Sequence, residues 1–160
     1  MILKWIPTDK KRFLSLLLLA DEQESMIDRY LMRGTMYVAY EGEDALGVAV
    51  FVRQSQELYE LKNFAVAPPY QGKGIGKQML MELCDKCRER GAHTLKIGTG
   101  ETPKTLGFYQ ACGFTECGRE KDFFTRNYDH PIMEDGVLLK DMIYPVSYTH
   151  LRAHETCADL

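Results

Sequence analysis

Residues 64–76 read Phe-Ala-Val-Ala-Pro-Pro-Tyr-Gln-Gly-Lys-Gly-Ile-Gly and form the most informative segment of the chain. An apolar run ends at two prolines, a glycine-rich turn follows, and an amphipathic stretch then continues to Arg90. This order predicts a strand, a tight turn and a long helix. Several backbone N–H groups converge at the start of a helix, and glycines let a phosphate oxygen approach them. The segment therefore predicts a phosphate-binding turn.

The spacing within this turn excludes two common phosphate motifs. A P-loop has Ser or Thr after Gly-Lys, but Gln78 follows Gly76 and Lys77. The dinucleotide fingerprint is G-x-G-x-x-G, whereas Gly72, Gly74 and Gly76 are spaced G-x-G-x-G. Neither nucleotide-binding class is predicted.

Hydrophobic periodicity on both sides of the turn predicts one α/β domain of the α+β type. Before the turn we expect an edge strand, two amphipathic helices, a hairpin and one further strand. Their ranges are 1–6, 8–20, 26–33, 36–53 and 58–66. After it we expect a helix to Arg90, a buried strand, a short helix and two strands; the later ranges are 94–98, 103–113, 114–121 and 137–143. Residues 122–134 read as a long loop or distorted hairpin.

Two segments resemble the GCN5-related N-acetyltransferase (GNAT) family. Its signature is Gln or Arg, two residues, Gly, one residue, and Gly or Ala, which residues 71–76 match. Residues 106–114, Leu-Gly-Phe-Tyr-Gln-Ala-Cys-Gly-Phe, follow at the family's separation. The resemblance covers roughly residues 1–144 and implies a GNAT fold, with a mixed, mostly antiparallel sheet of six to seven strands flanked by about four helices. Residues 60–66 and the Asp-Phe-Phe-x-Arg-x-Tyr loop at 122–128 resemble an uncharacterised bacterial branch.

The resemblance implies an acyltransferase that moves the acetyl group of acetyl-coenzyme A (acetyl-CoA) directly to an amine, with no metal. The acceptor is a small molecule or a peptide. The alternative is a non-catalytic acetyl-CoA sensor or scaffold of the same fold. Residues implied to bind the coenzyme are Phe64, Ala65, Val66, Gln71, Gly72, Lys73, Gly74, Ile75, Gly76 and Lys77.

Direct transfer needs a base for the ammonium, donors for the oxyanion and an acid for the leaving thiolate. The resemblance assigns the acid to Tyr109, which alternatively only packs the short helix. Glu60 matches the register of a strand glutamate that serves as base in the histone-acetylating branch; alternatively it is a solvated strand residue. Asp122, Tyr128 and His130 are candidates for binding the acceptor, since a loop before the last strand commonly shapes that pocket.

Composition narrows the possible partners. The chain has 160 residues, is 45% hydrophobic and carries a net charge of -3. One domain is expected, and nucleic acid is excluded as a partner because no basic surface is indicated. The longest apolar run, residues 16–20, is far below the roughly 20 residues that span a bilayer, and no signal peptide is recognised. We therefore expect a cytoplasmic protein without membrane contact, and the family resemblance adds a homodimer as an option.

The five cysteines are expected to be reduced, because their number is odd and no export signal accompanies them. Cys84 and Cys87 form a CxxC pair. A zinc site needs a second pair or histidines at ligand spacing, and neither follows. The pair is predicted to be structural.

The last residues resemble translated sequencing-adapter DNA. Residues 146–156 read Val-Ser-Tyr-Thr-His-Leu-Arg-Ala-His-Glu-Thr, which is one reading frame of a common transposase adapter. The alternative is an ordinary polar extension. We accordingly predict an acetyltransferase domain over residues 1–145 and a disordered, non-native tail over residues 146–160.

Overall fold

In the computed structural model, which describes residues 1–148, the first half of the chain forms an antiparallel meander. Its strands are β1 (Ile2–Ile6), β2 (Thr35–Glu41), β3 (Asp44–Arg53) and β4 (Leu58–Val66). Each pairs with its neighbour in sequence, and β1 lies at the edge. The predicted edge strand and hairpin are confirmed.

Helices cover both faces of this meander because its strands bury side chains on both sides. Helices α1 (Leu14–Ala20) and α2 (Glu24–Asp28) pack on one face, where Leu17 and Ile27 meet Val48 and Val50. The long helix α3 (Ile75–Glu89) packs on the other face through a second apolar cluster of Leu80, Leu83, Phe51, Leu61 and Leu95. Each large aliphatic side chain buried in this way contributes roughly 1.5–3 kcal/mol.

The second half of the chain completes a mixed sheet. Its elements are β5 (Thr94–Ile97), β6 (Thr99–Gly100), α4 (Pro103–Ala111), β7 (Thr115–Glu120), α5 (Phe123–Asn127), β8 (Met133–Glu134), β9 (Val137–Leu138) and β10 (Met142–Tyr148). Strand β5 runs parallel to β4, and the order is β1-β2-β3-β4-β5-β10-β6 with β7 also on β10. The expected fold class is confirmed, although the sheet has eight strands rather than six or seven.

Two expectations about the last quarter of the chain were wrong. Residues 122–134 are not simply a loop, because they contain α5, and only their end belongs to a hairpin, in which β8 pairs with β9. The final strand does not cover 137–143; residues 137–138 pair with β8 in a small hairpin instead. Asp135 and Gly136 both have positive φ, 50° and 76°, which is the backbone of a tight two-residue turn. The chain therefore reverses before the last strand begins.

The last strand also crosses the predicted domain boundary at residue 145. Val146, Ser147 and Tyr148 pair with β5 opposite Lys96, Leu95 and Thr94, and Val146 is only 1% exposed. Residues 146–148 are therefore part of the sheet, contrary to the predicted tail. A ladder is made by backbone groups, so a short segment can extend it whatever its origin. The rest of the predicted tail, residues 149–160, lies outside the described residues, and its adapter origin stays a prediction.

Cys84, Cys87 and Cys112 are free thiols as expected. Within residues 1–148 there is no cluster of three or more His, Cys, Asp or Glu side chains able to hold a metal ion. No helix in this described part is long and apolar enough to cross a membrane.

Candidate active site

A cleft opens where β4 and β5 separate. The two strands pair from Leu58 opposite Thr94 to Leu61 opposite Ile97, and the end of β4, residues 62–66, pairs only with β3 among the described residues. After Ile97 the chain leaves β4 because β6 pairs with β10 instead. The cleft has a volume of about 760 Å³ and exposes the unpaired edge of β4.

The glycine turn, residues 71–77, forms one wall of this cleft. Gly72 and Gly74 have φ of 75° and 80°, which side chains rarely tolerate, and a Cβ on either would point into open space. Gly74 caps α3, and its carbonyl accepts the N–H of Gln78 at 3.1 Å. The N–H groups of residues 75–77 precede that first helical bond and have no partner within the helix. This wall is suited to an anion.

Side chains tie the turn to β4 and add positive charge. Gln71 Nε2 donates to the Val66 carbonyl at 2.8 Å, which holds the turn against the end of the strand. Lys77 and Lys104 also line the cleft. A pyrophosphate bound here would meet backbone donors first and lysines second.

Eight of the ten predicted coenzyme residues line the cleft; they are Phe64, Ala65, Val66, Gln71, Gly72, Gly74, Gly76 and Lys77. Lys73 and Ile75 do not. Lys73 is exposed on the turn, and Ile75 packs with Leu46 and Met79 beneath it, because the first turn of an amphipathic helix must direct one residue to the core.

Tyr109 lies in the cleft on α4. It is 6% exposed, and its ring packs against Phe108 and Phe114 at 5.2 and 5.9 Å between centroids. Burial raises the pKa of this phenol well above its usual value. Tyr109 therefore keeps its proton at neutral pH, and its hydroxyl can donate a hydrogen bond to a group in the cleft.

Glu60, the predicted base, is not among the residues that line the cleft. It is 7% exposed on β4, where Gln54 Nε2 donates to Oε1 at 2.9 Å and Lys62 Nζ donates to Oε2 at 3.1 Å. Lys96 Nζ lies 3.8 Å from Oε1. Position along the strand explains the difference, because Glu60 lies where β4 is still paired with β5, opposite Lys96, and the cleft opens only from Leu61 onward. These contacts give Glu60 a structural role.

Of the three predicted acceptor residues, the structure brings only Tyr128 into the cleft. Asp122 has φ of 57° and is the N-cap of α5, and its N–H donates to Asp141 Oδ1 at 2.8 Å. His130 is exposed and contacts Asp129 and Glu22. The hydrogen bond to Asp129 has the largest effect on the pKa of His130 and raises it, and the hydrogen bond to Glu22 raises it further. Asp122 and His130 therefore shape the loop without entering the cleft.

Sequence reasoning missed a polar network beside Tyr128. Tyr128 Oη donates to Asp21 Oδ1 at 2.7 Å, and Tyr30 Oη donates to Oδ2 at 3.4 Å. Asn63 Nδ2 donates to Tyr30 Oη at 3.0 Å. Burial desolvates Asp21 and raises the pKa of its carboxyl despite the bond from Tyr128. No local signal links Asp21 to Tyr128, because 107 residues separate them.

The cleft carries further carboxylates that the sequence did not single out. Asp21 and Glu22 come from the α1–α2 junction, and Glu134 and Asp135 come from the β8–β9 hairpin. We call these four residues the acidic group. Glu134 is exposed at the cleft surface, and Thr105 Oγ1 donates to its Oε1 at 3.4 Å. Surrounding protein atoms desolvate this carboxyl and raise its pKa.

Comparison with known families gives a match over most of the chain. The model of the acetyltransferase (GNAT) family matches residues 5–114. An uncharacterized N-acetyltransferase of Bacillus subtilis, YvbK, is 40% identical over 129 residues, which cover 80% of this chain and 83% of the relative. Both the glycine turn and Tyr109 fall inside the matched ranges of the family model.

Two solved structures are similar over nearly their whole length. One is a GNAT family acetyltransferase from Elizabethkingia anophelis with acetyl-CoA bound; it has a TM-score of 0.87 and 34% identity, and the match covers 92% of this chain and 97% of that one. The other is a Bacillus subtilis acetyltransferase in complex with CoA, with a TM-score of 0.84, 35% identity and coverage of 91% and 97%.

Proposed function

The chain belongs to the acetyltransferase (GNAT) family, uses acetyl-CoA, and, we propose, transfers the acetyl group directly to an amine of a small molecule or peptide. One observation carries this proposal: a single cleft contains the glycine turn, the unpaired end of β4 and the protonated phenol of Tyr109. These are the parts that bind a pyrophosphate, align a thioester and assist a leaving thiolate.

In the proposed mechanism the pyrophosphate lies at the N-terminus of α3. Backbone N–H groups of the glycine turn donate hydrogen bonds to the pyrophosphate, and Lys77 offsets part of its charge. The helix dipole also favours an anion at this end of the helix. The thioester lies along residues 64–66, whose open edge supplies donors to the oxyanion. The amine nitrogen attacks the carbonyl carbon, the C–S bond breaks, and the thiolate takes the proton of Tyr109.

The amine must lose a proton during the attack, and Glu134 is the better candidate for accepting it. The contacts of Glu60 with Gln54, Lys62 and Lys96 occupy its carboxylate away from the cleft. Glu134 lines the cleft, and a raised pKa suits a base that works near neutral pH. Thr105, which lies on α4 one helical turn before Tyr109, donates to Glu134, so the two residues belong to neighbouring parts of the cleft.

The test is an acetylation assay on the purified chain. Acetyl-CoA is incubated with a panel of amines, thiol release is recorded, and acetylated products are identified by mass spectrometry. Calorimetry measures coenzyme binding in parallel. We expect coenzyme binding and at least one acetylated amine.

Two results would contradict the proposal in different ways. Tight coenzyme binding with no product from any amine would favour the non-catalytic sensor or scaffold. Failure to bind acetyl-CoA would refute the assignment of the glycine turn.

The relatives from Bacillus support a bacterial source, while the cytoplasmic location and the homodimer stay predictions.

A further inference from the structure

The carboxylate of Asp21 lies in the wall of the cleft. Its two oxygens accept hydrogen bonds from Tyr128 and Tyr30, and no Lys, Arg or His lies within 4.0 Å of it among residues 1–148. Lys62, whose charge is felt at Asp21, is paired with Glu60 at 3.1 Å. Neutral hydroxyl donors orient the carboxylate without cancelling its charge. A cation in the cleft is still attracted to it.

A second, independent feature points to a bound donor at the same place. Asn63 is 2% exposed and lines the cleft. Its Nδ2 donates to the Leu17 carbonyl at 2.9 Å and to Tyr30 Oη at 3.0 Å, but its Oδ1 has no hydrogen-bond partner among the described residues. A buried acceptor is rarely left unpaired, because it loses its bonds to water without replacement. An ammonium group would supply a donor for Asn63 Oδ1 and a positive charge opposite Asp21.

The wall next to this polar network is apolar. Phe124 stacks on Tyr128 with 5.5 Å between ring centroids, and it clusters with Ile132 and Leu139; all three are less than 9% exposed and line the cleft. Such a surface stabilises alkyl and aromatic groups. It offers no partner to hydroxyl groups, which would lose their bonds to water on binding.

We infer that the acceptor is a primary amine on an alkyl or aromatic body, and that Asp21 binds its ammonium group with the help of Asn63. This inference rests on the proposed N-acetyltransferase function. Tyr128 and Tyr30 act as positioning residues, because they hold the carboxylate of Asp21. Phe124 and its neighbours select the apolar body.

The experiment compares phenethylamine with glucosamine as acceptors for the full chain and for Asp21→Asn. Asparagine keeps the shape of Asp21 but removes its charge. We expect the wild type to prefer phenethylamine in kcat/KM, and Asp21→Asn to raise the KM for phenethylamine by about tenfold or more, in line with loss of a buried ion contact. The Kd of acetyl-CoA stays unchanged. Tyr128→Phe, which only loosens the carboxylate, raises this KM by about threefold.

Asp28→Asn is the matched control, since Asp28 is an exposed acid on α2 that pairs with Lys11 outside the cleft. It leaves the KM unchanged. The same variants are titrated with phenethylamine in the presence of CoA by calorimetry, which needs no turnover. Amine binding that Asp21→Asn weakens about tenfold supports the site even if acetyl transfer fails. A KM or Kd within twofold of wild type for Asp21→Asn, a preference for glucosamine, or no binding of phenethylamine overturns the inference.

Discussion

The glycine turn and the acidic group line the same cleft but are assembled in opposite ways. The turn is one continuous segment, residues 71–77, and it offers mainly backbone N–H groups. The acidic group comes from the α1–α2 junction and the β8–β9 hairpin, and it offers side chains, with Tyr128 reaching Asp21 across 107 residues. A backbone site depends on conformation, so glycines are its sensitive positions. A side-chain site depends on single atoms that distant segments hold in place.

The largest effect is expected in the glycine turn. Gly74→Glu forces a side chain onto φ of 80° and places a negative charge at the predicted phosphate. Backbone strain of roughly 1 kcal/mol and charge repulsion together lower the affinity for acetyl-CoA by on the order of 100-fold. Calorimetry measures the change.

The control for that variant is Gly42→Glu. Gly42 has a similar φ of 60° and open space around it, but it lies in the β2–β3 turn outside the cleft. It carries the same strain without a phosphate nearby, so coenzyme affinity should not change. Equal losses of coenzyme affinity in both variants would mean that backbone strain alone, not phosphate binding, explains the effect of Gly74→Glu.

Tyr109 lines the same cleft but belongs to neither part, and its replacement should affect turnover but not binding. Tyr109→Phe keeps the packing with Phe108 and Phe114 and removes the acid, so kcat falls by on the order of 100-fold. Coenzyme affinity is unchanged. Tyr59→Phe is the control, because Tyr59 is also buried but its hydroxyl bonds to the Arg90 carbonyl away from the cleft. Wild-type turnover in Tyr109→Phe would remove this residue from the mechanism.

A smaller effect is expected within the acidic group, where Glu134→Gln tests the base. Solvent water partly replaces an exposed base, so we expect kcat to fall by about tenfold. Glu60→Gln should leave kcat unchanged and lower stability by roughly 1–3 kcal/mol, because Lys62 and Lys96 lose their shared anion. Steady-state kinetics and chemical unfolding measure the two quantities. The reverse pattern would restore Glu60 as the base.

The smallest effect concerns the stability cost of the acidic group. Burial raises the pKa of Asp21 in the folded chain, so its ionised form is disfavoured there relative to the unfolded chain. At neutral pH Asp21→Asn removes this cost and should stabilise the fold by about 1 kcal/mol or less. At a pH below the ordinary value for aspartate both proteins carry a neutral side chain, and the difference should disappear. Thermal unfolding at the two pH values measures it, and a destabilised variant at neutral pH would contradict it.

Sequence by itself determined the parts whose information is local. The order of strand, glycine turn and helix over residues 64–90 predicts the coenzyme site, because turn chemistry and helical periodicity act between near neighbours. Thr102 before Pro103 likewise marks the start of α4, where its side chain accepts the N–H of Thr105 at 3.2 Å. Local patterns of the same kind predict the antiparallel meander and indicate the family.

Tertiary structure alone decided which side chains meet. Glu60 had the expected register, yet its carboxylate pairs with two lysines and does not line the cleft. Asp21 stood out by no pattern, yet Tyr128 and Tyr30 hold it in the wall. Strand β10 continued through Tyr148 because the edge of β5 offered it backbone partners. Contacts of this kind depend on how distant segments pack, and no short window of sequence contains both partners.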